Sequence, residues 1–194
     1  DLDSEAVSLL PTKVPQGPFK WLRGVPTPDG SVFCIPACAD AVLRIRPSGE
    51  LSMLGEGELP KGEWKWSDGV HGDDGNIYAI PANAERVLKV DPARSSASLV
   101  GPVLHPGLRE KWHGGIQASD GAIWGMPYNA PTALKIMPET GEVREVGHFP
   151  SGGCKWRGGA RCGDFIVGAP AHADAVLCIH TPTLPPAPPV VHGD

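Results

Sequence analysis

Six polar side chains stand at matching places in three segments of the chain that each begin with a tryptophan. They are Ser67 and His71, His113 and Gln117, and Arg157 and Arg161. If these groups converge at one mouth of a channel, they form a cationic pocket suited to a carboxylate, a phosphate or a structural anion. The alternative is that they are solvated residues at the ends of loops. Both interpretations stay open at this point.

The histidines His71 and His113 are the residues with the widest chemical range in this set. In principle they allow a shared metal ion or an acid/base pair, although each is more often a plain surface histidine. Acid/base catalysis needs a perturbed pKa and a positioned partner. Neither Gly-x-Ser-x-Gly nor His-Glu-x-x-His occurs in the sequence. We therefore expect no catalytic residue, no metal ligand and no cofactor.

The segments that carry these side chains belong to a repeat. The pair Lys-Trp occurs four times, with its lysine at positions 20, 65, 111 and 155, in steps of 45, 46 and 44 residues. A fixed period of this length is typical of repeated β-units, and four short strands in about 45 residues form one propeller blade. The predicted blades are residues 20–64, 65–110, 111–154, and 155–180 together with 5–10.

Turn residues recur inside each repeat. Asp-Gly pairs at positions 29–30, 74–75 and 120–121 predict a hairpin between the first two strands, because glycine tolerates positive φ and aspartate binds its own backbone. The last repeat has Gly163-Asp164 instead, so its hairpin should differ. A proline closes each second strand, where a missing N–H does least harm. These prolines are Pro36, Pro81, Pro127 and Pro170.

The first strand of each repeat is predicted to line the channel. Strict alternation along it places four small aliphatic residues on the face of the tryptophans, packed between blades. These residues are Val25, Val70, Ile116 and Ala160. Glycines at positions 24, 69, 115 and 159 would let backbones approach around a narrow axis. The repeated tryptophans are predicted to pack, with the indole N–H bound to a backbone group.

The chain ends suggest how the array closes. The last repeat stops after its third strand at Ile179, whereas residues 5–10 read as a spare strand near the N-terminus. Pairing the two would remove an exposed edge. The prediction is therefore an all-β, four-bladed β-propeller over residues 1–180 whose N-terminal strand closes the last blade. The alternative is a fragment, or half of a larger ring that a second copy completes.

The repeat resembles a known type of β-propeller repeat. The pattern Lys-Trp-x-Gly-Gly, Asp-Gly-x-Ile-Tyr/Trp-x-x-Pro-x-Asn-Ala and Val-Leu-Lys-Ile-x-Pro-x-Thr-Gly-Glu-Val, best seen in residues 111–146, is similar to repeats of algal and other protist proteins. The same segment is more distantly similar to the propellers of streptogramin (virginiamycin B) lyases. The resemblance implies the fold. A lyase would need a larger ring, so no catalytic residue is transferred from that family.

Composition excludes several classes of protein. The formal net charge is −5, without a basic block, which argues against a non-specific nucleic-acid surface. Neither a transmembrane segment nor a signal peptide is recognisable, so the chain is expected to be soluble. Because it begins at Asp1, one interpretation is a processed form, imported into an organelle or secreted.

A disulfide between Cys154 and Cys162 is conceivable; small buried thiols are the alternative.

Two features point to protein partners. Trp64 lies in a loop outside the repeated tryptophan column, and an exposed loop tryptophan is an interface candidate. Residues 181–194 form a Pro-rich tail of expected extended geometry, typical of linkers and partner-binding strips. Its interface candidates are Pro185, Pro186, Pro188 and Pro189. We therefore expect a non-catalytic accessory or scaffold subunit of a larger protein complex, with ligand binding at the channel mouth as the alternative and a lyase-like enzyme as the third.

Overall fold

A computed structural model describes residues 7–10, 13–150 and 152–181 of the 194-residue chain. In these ranges the chain forms fifteen β-strands and no helix, so it offers no helix able to cross a membrane. The strands of the first two repeats are β1 Trp21–Pro26, β2 Val32–Pro36, β3 Val42–Ile45, β4 Leu51–Leu54, β5 Trp66–His71, β6 Ile77–Pro81, β7 Val87–Asp91 and β8 Ser96–Val100. Those of the last two are β9 Trp112–Gln117, β10 Ile123–Pro127, β11 Ala133–Met137, β12 Glu142–Val146, β13 Trp156–Cys162, β14 Phe165–Pro170 and β15 Leu177–His180.

Each repeat folds into one antiparallel sheet, here called a blade. Blades 1 to 3 have four strands in chain order, and blade 4 has the three strands β13-β14-β15. The innermost strands β1, β5, β9 and β13 pack on one another in succession. Among the described residues, no comparable packing joins β13 back to β1. Over the described residues the blades are therefore four separate sheets packed in succession, without a closed sheet.

The predicted Asp-Gly hairpins are confirmed. Gly30, Gly75 and Gly121 have φ values of +78°, +79° and +79°, the left-handed region that glycine adopts without strain. The preceding aspartate accepts the N–H two residues ahead, as in Asp29 with Ser31 at 3.0 Å. In blade 4, Cys162 pairs directly with Phe165 across Gly163-Asp164, so this hairpin is shorter, as the sequence indicates.

The core lies between the blades, in three apolar clusters. Trp66, Trp112 and Trp156 each pack into one of these layers, whereas Trp21 is half-buried on blade 1. The indole N–H of each of the four repeated tryptophans donates to a backbone carbonyl 19 or 20 residues further along the chain, as predicted. The four acceptors are the carbonyl oxygens of Ala41, Arg86, Thr132 and Ala175, for Trp21, Trp66, Trp112 and Trp156 at 2.9, 3.0, 2.7 and 2.8 Å. These tryptophans are structural.

The predicted closure of blade 4 by the N-terminal strand is not formed by the residues that the structure describes. Residues 7–10 lie in no strand, and the side chains of Val7 and Leu9 are 99% and 96% exposed. Leu10 lies beside Gly49 of blade 1. Residues 5 and 6 of that predicted strand, and residues 182–194 of the predicted tail with its four prolines, lie outside the described residues.

The five cysteines form no disulfide. Cys34, Cys38 and Cys154 are half-buried, which matches the alternative of small packed thiols, whereas Cys162 and Cys178 are exposed on blade 4. Burial raises the pKa of the Cys34 thiol. The conceivable bridge between Cys154 and Cys162 is therefore absent.

Candidate functional site

Every innermost strand contains a β-bulge directly after its tryptophan. In blade 3, Trp112 pairs with Pro127, but Gly115 pairs with Gly125, so three steps on β9 match two on β10. The same shift occurs in the other three blades. The extra residue reverses which face every later side chain of the strand occupies.

This reversal corrects the expectation that the aliphatic residues share the tryptophan face. Trp112 packs against Tyr78 and Ile80 of blade 2, on the face towards the preceding blade. Ile116 packs with Trp156 of blade 4, on the face towards the following blade. Both residues do pack between blades, as predicted, but on opposite faces of their sheet. We call these the front face, towards the preceding blade, and the back face.

The inner glycines act as sockets for side chains of the preceding blade. A Cβ at Gly69 would lie 2.6 Å from Ile35 Cγ1, and one at Gly115 would lie 2.6 Å from Val70 Cγ2. The backbone contact expected around the axis occurs at the bulge instead, where a Cβ at Gly114 would lie 2.6 Å from the Cα of Gly158. Glycine is therefore required at both places, for different reasons.

The structure divides the six polar candidates between two ends of the innermost strands. Ser67, His113 and Arg157 lie at the bulge, at the beginning of β5, β9 and β13. His71, Gln117 and Arg161 lie four residues later, which along a strand is about 13 Å. They do not converge on one pocket, and His71 and His113 lie at opposite ends. Within the described ranges no group of three or more His, Cys, Asp or Glu could hold a metal ion.

His113 has the most distinctive environment among these residues. Its ring contacts that of Tyr128, with 4.5 Å between centroids, and its Nε2 is buried without a hydrogen-bond partner among the described residues. Burial lowers the pKa of His113, the positive charge of Arg157 lowers it further, and the carboxylates of Glu110 and Asp68 oppose both. The imidazole is therefore favoured in its neutral form, with one ring nitrogen free to meet a ligand group.

Asp68 is a buried charge at the bulge that the sequence analysis missed. Its Oδ1 lies 3.0 Å from Arg23 Nε of blade 1, and its Oδ2 accepts the N–H of Gly115 of blade 3 at 3.0 Å. One carboxylate thus ties three blades together. The sequence did contain a signal for this ion pair. The second residue after the repeated tryptophan is glycine in blades 3 and 4, at Gly114 and Gly158, but it is charged in blades 1 and 2, at Arg23 and Asp68.

The interface candidate Trp64 is half-buried rather than fully exposed. Its ring contacts that of Phe19, its counterpart in the preceding repeat, with 4.8 Å between centroids, and Phe19 is 62% exposed. Both residues have positive φ, 45° and 53°, as do Glu110 and Cys154 at the equivalent positions. The aromatic pair therefore lies beside the bulge end of the inner strands, on a backbone conformation that recurs in all four repeats.

The lysine of the Lys-Trp pair is a buried structural residue, which the sequence analysis did not foresee. Lys65, Lys111 and Lys155 are 2%, 0% and 6% exposed. The ammonium of Lys111 donates to the carbonyl of Ala82 in blade 2 at 2.9 Å. Burial lowers the pKa of Lys111 to about 8, although the charge of Glu85 acts in the opposite direction.

A second repeated device lies on the back face of blades 1 to 3. In each, the cation of the third strand lies over the aromatic ring of the second strand and beside the aspartate of the hairpin. The sets are Arg44, Phe33 and Asp29; Lys89, Tyr78 and Asp74; and Lys135, Trp124 and Asp120. Blade 4 has Cys178 and Val167 at the first two positions, so this device is absent there.

No protein family and no curated protein matches the chain. Solved structures do match it. A catalytically inactive virginiamycin B lyase from Staphylococcus aureus with quinupristin matches with a TM-score of 0.68 at 15% identity, over 87% of this chain and 57% of the lyase. Hydrazine synthase of Kuenenia stuttgartiensis matches with a TM-score of 0.64 at 15% identity, over 90% and 49%. An auxiliary nutrient binding protein from Bacteroides ovatus matches with a TM-score of 0.57 at 10% identity, over 83% and 38%.

These similarities show the fold alone, because every identity is low. They confirm the distant resemblance to streptogramin lyase propellers and the all-β, propeller-like architecture. The chain spans less than two thirds of the length of the lyase structures. The three matched proteins differ in activity, so the fold does not select among them.

Proposed function

We propose that this chain is a non-catalytic interaction subunit of a larger protein assembly, and that blade 4 is where it docks a second copy of itself. One observation carries the proposal. Among the described residues no other blade covers the back face of blade 4, whereas the same face of the other three blades is buried against a neighbour.

Equivalent positions make the contrast direct. On the back face of blade 3, Trp124 and Met126 are 4% and 0% exposed, covered by blade 4. Their counterparts on blade 4 are Val167, which is half-buried, and Ala169, which is exposed. Val176 is 59% exposed in the same way. A bare apolar sheet face of this kind is typical of an interaction surface.

The edge of blade 4 supports the same proposal. The strands β3, β7 and β11 each pair with a fourth strand, but β15 has no such partner among the described residues. Its outer edge therefore offers unpaired N–H and C=O groups to an incoming strand. One partner with a β-sheet could pair with this edge and also cover the exposed face beside it.

A second copy presents the matching surfaces. Inside the molecule, each back face packs on the front face of the next blade, at three successive boundaries. The front face of blade 1 has no preceding blade, and Trp21 and Val32 are half-buried there, whereas their counterparts Trp66 and Ile77 are 0% exposed. Within the described ranges, the only side chain near the socket at Gly24 is that of Val32 in the same blade. Residues 7–10 of the second copy, with their exposed apolar side chains, could pair with β15.

The test is sedimentation analysis of the chain over a range of concentrations. We expect reversible self-association, and we expect Val176→Arg to abolish it by placing a charge on the docking face. Val103→Arg is the matched control, because Val103 is 54% exposed in the β8–β9 loop, away from that face. A monomer at every concentration, or self-association that Val176→Arg leaves intact, would overturn the proposal.

Trp64, with Phe19, and the Pro-rich residues 181–194 are proposed as contact points for other protein partners. The support for the first is the half-exposed aromatic pair, on a backbone conformation that recurs in all four repeats. Trp64→Ala and truncation after Thr181, which keeps β15 whole, should each weaken partner recovery from the native source while leaving self-association unchanged. Recovery that neither change affects would remove these contact points.

A second candidate function is binding of a small anion at the bulge end of the innermost strands, favoured by the buried Nε2 of His113, which has no hydrogen-bond partner among the described residues, and by the nearby charge of Arg157. The expected result is a ligand-dependent rise in melting temperature that His113→Ala and Arg157→Ala each reduce. If a panel of carboxylates and phosphates shifts the melting of the parent chain and of both variants equally, this function is excluded.

A further inference from the structure

A cleft of about 510 Å³ lies on blade 2, between the loops that enter and leave this blade. Its walls are the β4–β5 loop, around Lys61, and the β8–β9 loop, around Arg109. Asn83 joins the two loops, since its amide donates to the carbonyl of Glu63 and accepts the N–H of Glu110, both at 2.8 Å. Binding sites for small molecules commonly have volumes of about 300–1,000 Å³. The cleft is therefore large enough and held in shape.

Unpaired cations surround this cleft. Lys61, Arg86 and Arg109 line it, and in the described part of the chain their side chains make no ion pair. Two carboxylates, Glu63 and Glu85, also line it, and the charge of Glu85 already acts on the buried ammonium of Lys111. Guanidinium groups match the planar geometry of carboxylate and phosphate. The excess of positive charge favours an oxyanion.

The remaining wall is apolar. Leu99 is half-buried on β8, and Leu108 is half-buried in the β8–β9 loop, with Pro60 opposite in the β4–β5 loop. A ligand that is only an ion would leave these side chains in contact with water. An organic body attached to the oxyanion would cover them.

The preceding repeat contains a homologous cleft of about 360 Å³ built from equivalent positions. There, Ala41 stands in place of Arg86, Glu63 in place of Arg109, and Gln16 in place of Lys61. The repeat architecture thus produces the cleft but does not require its positive charge. The arginines are additions to a scaffold that folds without them.

We propose that the cleft on blade 2 binds a small organic anion, with its oxyanion held by Arg86 and Arg109 and its apolar body against Leu99 and Leu108. The site lies apart from the docking face of blade 4 and from His113, so it is independent of the proposed function. Carboxylates and phosphates share the required chemistry, and the choice of probes separates them.

The experiment is a calorimetric titration of the chain with octanoate, phenyl phosphate and inorganic phosphate. We expect at least one of the two organic anions to bind, and to bind more tightly than inorganic phosphate. The double variant Arg86→Ala with Arg109→Glu gives the cleft the residues that the preceding repeat has at these positions, so it should fold with little change in melting temperature. Its affinity should fall about tenfold or more, the loss expected for charge-assisted hydrogen bonds.

Arg94→Ala is the control for general loss of positive charge, because Arg94 is an exposed arginine paired with Asp91 elsewhere on blade 2. Its affinity should equal that of the parent chain. The proposal is overturned if none of the three probes binds, or if the double variant binds as tightly as the parent chain. Equal affinity for inorganic phosphate and phenyl phosphate overturns the apolar half of the site.

Discussion

The carboxylate of Asp68 accepts a hydrogen bond from the backbone N–H of Gly115, one blade further along the chain, at 3.0 Å. The same carboxylate lies 3.0 Å from the guanidinium of Arg23, one blade earlier. Because Asp68 is only 7% exposed, this contact couples three sheets through one buried charge. Substitution of Asp68 should therefore destabilise the packing of blades 1 and 3 as well as that of blade 2.

Asp68→Ala should lower the free energy of unfolding by about 1–3 kcal/mol, the cost of leaving a buried N–H of this kind unpaired. Urea titration measures it. Arg23→Ala is the comparison, and because Arg23 has a 63% exposed side chain its loss should cost at most about 1 kcal/mol. Equal effects of the two substitutions would contradict this assignment.

Gly115→Ala should destabilise the boundary between blades 2 and 3 by about 1–3 kcal/mol through overpacking. The added Cβ would lie 2.6 Å from Val70 Cγ2 and 2.9 Å from Ile80 Cγ1. Val70→Ala removes the nearer atom, so the double variant should be more stable than the sum of the two single changes predicts. If the effects of Gly115→Ala and Val70→Ala on the free energy of unfolding are strictly additive in thermal or urea unfolding, the predicted contact between these two positions is excluded.

Lys111 should make the stability of the protein rise in mild alkali. Burial lowers its pKa to about 8 in the folded chain, against an ordinary 10.5. Below pH 8 both states carry the proton. Between pH 8 and 10.5 the folded state has lost it while the unfolded state retains it, so the free energy of unfolding increases, by up to about 3 kcal/mol.

Lys111→Met should lack this rise, because methionine does not titrate. The measurement is urea unfolding of both proteins at several pH values between about 7 and 10.5. Other titrating groups contribute to both curves and cancel in the difference. Parallel curves would show that the ammonium keeps its ordinary pKa.

Asp29 should contribute stability that is lost in acid. The hydrogen bond from the Thr27 hydroxyl, followed by that from the Ser31 N–H, holds the pKa of Asp29 well below its ordinary 3.8. The contribution is therefore complete above the ordinary pKa and declines as the pH falls below it towards the folded value. Asp29→Asn should give a flatter acid-unfolding profile, and an unchanged slope below about pH 4 would count against the assignment.

Much of the local structure follows from the sequence. The four repeats, their hairpins at Asp-Gly and the prolines that end the second strands are all as predicted, because each depends on residues a few positions apart. The backbone partner of the tryptophan N–H was also predictable, since it lies within the same repeat. The face of Ile116 was not. One bulge residue reverses every later side chain, and its position is set by pairing with the next strand rather than by the period of the sequence.

The candidate site was only partly predictable for the same reason. The sequence alone identified His113 and Arg157 as polar residues of an inner strand. It did not identify Asp68, because its role comes from neighbours in two other blades. The separation of His71 and Gln117 from the bulge end could have been predicted, because four residues along a strand span about 13 Å.

Whether the array closes was decided by tertiary structure alone. The spare segment at residues 5–10 and the three-stranded last repeat made closure a reasonable prediction, yet residues 7–10 lie in no strand and blade 4 keeps a free edge among the described residues. The sequence by itself determined four repeated sheets and their turns, since these depend on short-range chemistry. The angle at which each blade packs on the next is set by the side chains between them, so it is decided only in the tertiary structure. That angle determines whether the last blade meets the first and which sheet face stays uncovered.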